Sequence, residues 1–141
     1  MNKEKLRDIA RDVREWGESV VSEDSDYCND LCGLCARASY ELYKKLRKKK
    51  IPAVFVIGYG HCWVEVAGLL IDVTATQFWG MKKRKVLIEK VEKAYEKYGF
   101  YNPLKKRKTP KGIRNGMKKW PIYQVPQDFV PEGVNKYSEF V

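Results

Sequence analysis

Between Ala53 and Thr74 the chain reads "AVFVIGYGHCWVEVAGLLIDVT", three short apolar runs rich in β-branched residues, broken at Gly58–Gly60 and again at Gly68. Runs of this length, punctuated by glycine, are strands, and a chain that holds three in succession has to bury a sheet. "AVFVI" is apolar at odd and even positions alike, which suits a strand covered on both faces. The next two runs, "HCWVEVA" and "LLIDVT", form a hairpin across Gly68. A two-residue turn at Ala67 and Gly68 pairs Val66 with Leu69, Glu65 with Leu70, Trp63 with Asp72 and His61 with Thr74. His61 and Asp72 then become diagonal neighbours on one face, ~7–8 Å apart between backbones and within side-chain reach. A four-residue loop preserves that parity, whereas a three-residue loop sends the pair to opposite faces.

Helical patterns flank the sheet. Leu6, Ile9, Val13, Trp16 and Val20 recur at three- and four-residue steps, predicting an amphipathic helix that ends near Val21, followed by the acidic, turn-rich loop "SEDSDYCND". Over residues 33–50 the positions Cys35, Ala38, Ser39, Leu42, Tyr43 and Leu46 share one face. "KKLRKKK" supplies the outer face and the cations at the C-terminus, and Pro52 stops the helix. A last helix is expected over 82–98, with Val86, Leu87, Val91, Ala94, Tyr95 and Tyr98 inward, and one further strand at "WPIYQV". With 141 residues the chain is the size of one domain. The expectation is a single α+β domain over 1–141, with its motifs in 29–76 and a basic part over 77–141.

Charge and composition narrow the function classes. The net charge is +10, and it is placed unevenly: residues 1–74 hold 12 basic and 12 acidic side chains, residues 75–141 hold 16 and 6. Such asymmetry can attract acidic proteins or nucleic acid, although lysines spread over a helix face and loops read first as a solvated surface. Nucleic acid is the less favoured partner, because no RRM aromatic motif, zinc-finger spacing or paired GXXG loop accompanies the lysines. The charged start "MNKEKLRDIARDVREW" contains no apolar stretch, and "AVFVI" is too short to span a bilayer. A cytoplasmic location without membrane partners is expected, and with it four reduced cysteines.

His61 is the one histidine in the sequence. An aspartate aimed at an imidazole fixes its tautomer and stabilises the imidazolium, so His61 with Asp72 lacks only a nucleophile. A cysteine at a helix start has its thiolate favoured by the positive end of the helix dipole and by a nearby imidazolium. Cys35 follows Gly33, opens the strongest helical pattern of the chain and belongs to its buried face. Cys35, His61 and Asp72 therefore form a triad that this fold can assemble.

The ordered elements Gly33-Leu34-Cys35, Ile51-Pro52-Ala53, Gly58-Tyr59, His61-Cys62-Trp63-Val64-Glu65-Val66 and Asp72-Val73-Thr74 resemble the transglutaminase-like branch of the papain-like cysteine enzymes. "CGLCA" is also similar to the papain pattern C-G-[SA]-C-[WY], with Leu34 and Ala36 departing from it. The resemblance covers about residues 29–76. It implies a papain-like fold with the nucleophile-bearing helix packed on a small antiparallel sheet. It also implies Cys35 as nucleophile, His61 as general base and acid, and Asp72 as orienting residue. Papain-type enzymes carry a glutamine six residues before the nucleophile to bind the oxyanion; here that position is Asn29, one methylene shorter. Trp63 is expected as a wall of the substrate cleft, Glu65 as a partly exposed strand residue, and Thr74 as a capping or pairing residue without chemistry of its own.

The expected activity is acyl chemistry on an amide (peptide, isopeptide or glutamine side chain) through a Cys35 thioester, with hydrolysis expected over amine transfer. A protein or peptide substrate, acidic for preference, is implied, and no cofactor. The alternative is an inactive binding module of the same fold that holds an acidic protein or nucleic acid on its basic half. The cysteine spacings support no metal site. C-x3-C-x2-C at Cys28, Cys32 and Cys35 lacks the barrel of radical-SAM enzymes. Zinc is disfavoured because His61 and Cys62 are adjacent on a strand and face opposite ways. Cys32-Gly33-Leu34-Cys35 lacks the βαβ start of a thioredoxin, which leaves Cys28 and Cys32 as packed thiols.

Overall fold

The computed structural model describes residues 2–23, 35–78, 80–81 and 83–117. Two helices precede the sheet, α1 (Lys3–Glu23) and α2 (Cys35–Lys48). They are followed by β1 (Ala53–Gly58), β2 (Cys62–Val66), β3 (Leu69–Asp72) and a 3-10 turn at Ala75–Gln77. Then come β4 (Leu87–Lys90), α3 (Val91–Lys97), β5 (Pro103–Arg107) and α4 (Pro110–Met117). The strands form one antiparallel sheet in the order β4-β3-β2-β1-β5, so the domain is mixed α+β.

Alternation along the strands divides the core into two layers. Ala53, Phe55, Ile57, Cys62, Val64, Val66 and Ile71 face α1 and α2, meeting Leu6, Val13, Leu42 and Leu46. Val56, Trp63, Leu70 and Leu87 face the other way, onto Ala94 of α3 and Tyr101. β1 contributes to both layers, as its unbroken apolar run requires. The face expected of α2 is the face it buries: Cys35, Ala38, Ser39, Leu42, Tyr43 and Leu46 are all inside, with Ala36. The helix closes with Lys50 in the left-handed region (φ 61°) and the Ile51 N–H on the Leu46 carbonyl at 3.0 Å, a Schellman-type ending directly before Pro52.

The β2–β3 hairpin has the expected register, Val66 opposite Leu69, Glu65 opposite Leu70 and Val64 opposite Ile71. Ala67 (φ 49°) and Gly68 (φ 79°) are both left-handed, the mark of a type I′ turn, whose twist matches that of the strands. This turn sets the parity on which the site depends.

The region after residue 82 departs from expectation. In place of one helix over 82–98, Leu87–Lys90 is an edge strand paired with β3, and only Val91–Lys97 is helical. The spacing of Val86, Leu87, Val91 and Ala94 fits a helix, but pairing with β3 satisfies the backbone of residues 87–90. The Val91 N–H on the Gly68 carbonyl, at 3.0 Å, marks where the helix can begin. β5, "PLKKR", and α4 went unforeseen. β5 is the opposite edge strand, where lysines and a leading proline protect an unpaired edge and leave no apolar alternation to detect. The strand expected at 120–125 lies outside the described residues, as do Asn29, Cys28 and Cys32.

Candidate active site

Four local constraints bring Cys35, His61 and Asp72 together. Cys35 is the first residue of α2, and one turn later Ser39 Oγ donates to the Cys62 carbonyl at 3.0 Å. Cys35 and Ser39 share a helix face, so this bond holds the helix N-terminus against the start of β2. His61 sits in the tight connection from β1 to β2, where the Gly58 N–H donates to the His61 carbonyl at 2.8 Å and Gly60 takes φ 79°. Gly58 cannot be larger: a Cβ there would come within 2.5 Å of Trp63 Cζ3 and 2.8 Å of the Asn102 carbonyl oxygen. Asp72, at the end of β3, then faces the imidazole across the hairpin, with His61 Nε2 to Asp72 Oδ2 at 2.7 Å.

All three residues are buried, and the carboxylate is saturated with donors. Oδ2 also accepts from Tyr101 Oη at 2.6 Å, while Oδ1 accepts from the Thr74 N–H at 2.8 Å and Thr74 Oγ1 at 3.2 Å. Burial pushes the Asp72 carboxyl up, but the His61 charge and bond, followed by the Tyr101 and Thr74 bonds, hold it below its ordinary value. Burial likewise works against the His61 charge. The Asp72 carboxylate, 2.7 Å away, outweighs it, and with Cys35 it raises the imidazole from 6.5 to about 10.

The Cys35 thiol is lowered from 9.0 to about 5. Its largest stabiliser is the Cys62 thiol hydrogen bond; burial opposes, and the His61 bond and charge and a Cys62 backbone bond add to the lowering. Cys62 is pushed well above the ordinary thiol value, by burial first and then by Cys35, so it remains the S–H donor of the pair. The thiolate also starts a 14-residue helix, whose dipole acts in the same direction. With the Cys35 value near 5 and the His61 value near 10, the pair at neutral pH is thiolate and imidazolium.

Gln77 lies beside it. Its Nε2 donates to the Thr74 carbonyl at 3.0 Å and Thr74 Oγ1 at 3.2 Å, and approaches His61 Nδ1 to 3.2 Å. The carbonyl can only accept, which fixes the orientation of the amide. Both amide hydrogens are taken up at Thr74, so the Nδ1–H of the imidazolium is left to the Cys35 sulfur. Aromatic rings enclose the imidazole: Phe78 edge-on at 4.7 Å between centroids, Trp63 stacked at 5.8 Å and Tyr101 at 5.8 Å.

Trp63, expected as a cleft wall, lies against the imidazole. It is fully buried in the layer beneath the imidazole, and its Nε1–H is bound to Glu65 Oε2 at 3.0 Å. Glu65 is itself almost fully buried; it also accepts from Lys106 Nζ at 2.9 Å and from Tyr95 Oη, and is a structural hub on the sheet face turned away from α1 and α2. Thr74 does more than cap, since both its donors serve Asp72. Sequence reasoning missed Tyr101 and Gln77. Gln77 lies five residues beyond Asp72 but in no recognisable pattern, and Tyr101 reaches Asp72 from the loop after α3, for which the sequence offers no signal.

The described residues contain no group of three or more His, Cys, Asp or Glu side chains able to hold a metal ion. None of their helices is long and apolar enough to cross a membrane. No protein-family model matches the chain, and neither a curated protein nor a solved structure matches it.

Proposed function

We propose that this protein is a thiol-dependent acyl-transfer enzyme of papain-like, transglutaminase-like architecture, acting on amide bonds with Cys35 as nucleophile. The observation that carries the proposal is the chain of contacts from the Cys35 thiol at a helix start, through His61, to the Asp72 carboxylate at 2.7 Å. A low-lying thiolate beside a high-lying imidazolium, with a carboxylate behind the ring, is the arrangement that nucleophilic thiol catalysis uses.

In this mechanism the Cys35 thiolate adds to the amide carbonyl carbon, and the carbonyl oxygen becomes an oxyanion. The tetrahedral adduct collapses as the C–N bond breaks, and His61 Nδ1 delivers its proton to the departing amine. A thioester remains on Cys35. Water then adds to the thioester carbonyl while the now neutral His61 takes a proton from it, and the C–S bond breaks. The carboxylic acid leaves, and the thiolate–imidazolium pair is restored. Asp72 stays ionised throughout and holds Nε2–H, which keeps Nδ1 aimed at sulfur. Water is the acceptor in this mechanism; an amine in its place would give transfer from the same thioester. The chemistry needs Cys35 as a free thiol, which a reducing compartment such as the cytoplasm maintains.

The test is to incubate the protein with unfolded, succinylated casein and follow new amino termini by fluorescamine and released ammonia by an enzymatic assay. Either product appearing with the wild type and vanishing with Cys35→Ala and His61→Ala supports the assignment. Equal background from all three proteins overturns it.

A further inference from the structure

α1 and the turn at residues 83–86 enclose a groove of about 540 Å³, within the range of ligand-binding clefts. Six cations line it: Arg7, Arg11, Arg14, Lys83, Arg84 and Lys85. Two carboxylates, Glu15 and Glu18, stand among them. Arg14 forms the floor. It is only 4% exposed, and its Nη1 donates to the Val73 carbonyl at 3.0 Å and to Thr76 Oγ1 at 2.7 Å. Its charge is met by Glu18, at 2.9 Å from Nε, and Glu18 is shared with Lys85 at 3.4 Å. Two cations on Glu18 hold its carboxyl below the usual range, Arg14 foremost. Arg7, Lys83 and Arg84 have no carboxylate partner among the described residues, so the groove carries an unbalanced positive charge.

We infer that this groove binds an acidic peptide segment and selects acidic polypeptides as the substrates of the thiol site. The inference rests on the assignment of that site to amide chemistry. Three observations support it. First, arginine forks match planar carboxylates, and four of the six cations are arginines. Second, among the described residues no aromatic ring lines the groove, so these offer no platform on which the bases of a single-stranded nucleic acid could stack. Glu15 and Glu18 would also repel a continuous phosphate backbone, while carboxylates spaced along a peptide can alternate with them. Third, Arg14 connects the groove to the chemistry: the Val73 carbonyl it holds lies between Asp72 and Thr74, so a segment seated over Arg14 runs beside the strand end that orients His61.

The test uses the full chain carrying Cys35→Ala and a fluorescein-labelled hexaglutamate peptide, with fluorescence anisotropy read at low and at physiological salt. Binding is expected to weaken with salt, and about tenfold with Arg7→Glu/Arg84→Glu. Arg7→Gln/Arg84→Gln should give a smaller loss. The charge-matched pair Lys48→Glu/Lys105→Glu, away from the groove, should change affinity less than twofold. No binding, or equal losses from the two reversed pairs, overturns the inference. A hexathymidylate that binds more tightly than the peptide, with the same dependence on Arg7 and Arg84, also overturns it and makes the groove a phosphate-backbone site. Because binding by Cys35→Ala is blind to catalysis and thiol reactivity is blind to the groove, failure of either idea is read separately.

Discussion

Replacing Asp72 with asparagine keeps the volume and removes the charge. The new amide has one forced orientation. The Thr74 N–H, 2.8 Å from Oδ1, can only donate, so the amide oxygen has to face Thr74 and the NH2 group has to face His61 Nε2 and Tyr101. Nε2 then accepts, the neutral imidazole carries its proton on Nδ1, and no lone pair faces Cys35. With the carboxylate gone, burial is the largest remaining influence on His61, opposed only by Cys35, and its value falls from about 10. Cys35 loses the cation but keeps its Cys62 donors, so its value rises from about 5 toward the ordinary 9.0. The sign follows directly. In the wild type the thiolate persists above about pH 5 and disappears as pH falls through that value; in Asp72→Asn it appears only as pH rises toward the ordinary thiol range. The assay is the second-order rate of iodoacetamide alkylation of Cys35 between pH 4 and 10, with circular dichroism as the control for folding. At pH 7.5 the variant should react roughly three- to thirtyfold more slowly, the upper figure applying if Cys35 returns fully to 9.0. A folded variant with the wild-type midpoint would refute the assignment of Asp72 as the group that keeps His61 charged.

Cys62→Ala removes the strongest of the interactions that lower Cys35, so the alkylation midpoint should rise above about 5 while the rate well above that midpoint stays near the wild-type value; an unmoved midpoint contradicts the donor role of Cys62. Gly58→Ala forces a methyl group against Trp63 and the Asn102 carbonyl at 2.5–2.8 Å. It should cost ~1–3 kcal/mol, read as a lower denaturant midpoint at unchanged slope, and wild-type stability would disprove the tight packing described there. Glu65→Leu leaves the buried Trp63 Nε1–H without its acceptor and frees Tyr95 and Lys106. A loss of ~1–3 kcal/mol is expected with the pH profile of Cys35 unaltered, and a shifted profile would make Glu65 part of the site.

The parts of the fold legible in the sequence are those that local chemistry fixes. The Ala67-Gly68 turn dictates its own register because both residues take positive φ, and from that register His61 and Asp72 must share a face. The inward face of α2 follows from its periodicity, so Cys35 is correctly placed at a buried helix start. The misread parts depend on partners distant in the chain. Residues 87–90 become a strand because β3 offers them an edge, and their own spacing argues for a helix. β5 is nearly all charged and exposed, so its strand character comes from pairing with β1 alone. Tyr101 and Gln77 reach the triad from connecting segments, where no periodicity reports direction. Trp63 alternates correctly with His61, but whether that face is open or covered depends on α3 and Tyr101, which pack over it.

The central claim is that Cys35 is a thiolate at neutral pH, held by the Cys62 donor, and that the charged His61 beside it is needed in addition. Its most direct measurement is the selectivity of alkylation. Native protein is treated with substoichiometric iodoacetamide at pH 6, where ordinary thiols are almost wholly protonated, and the four cysteines are quantified by peptide mass spectrometry. Adducts should concentrate on Cys35 in the wild type and lose that selectivity in a folded His61→Ala variant. Slow and equal labelling of all four cysteines in the native wild-type protein, or selective Cys35 labelling that survives the loss of His61, would contradict the claim.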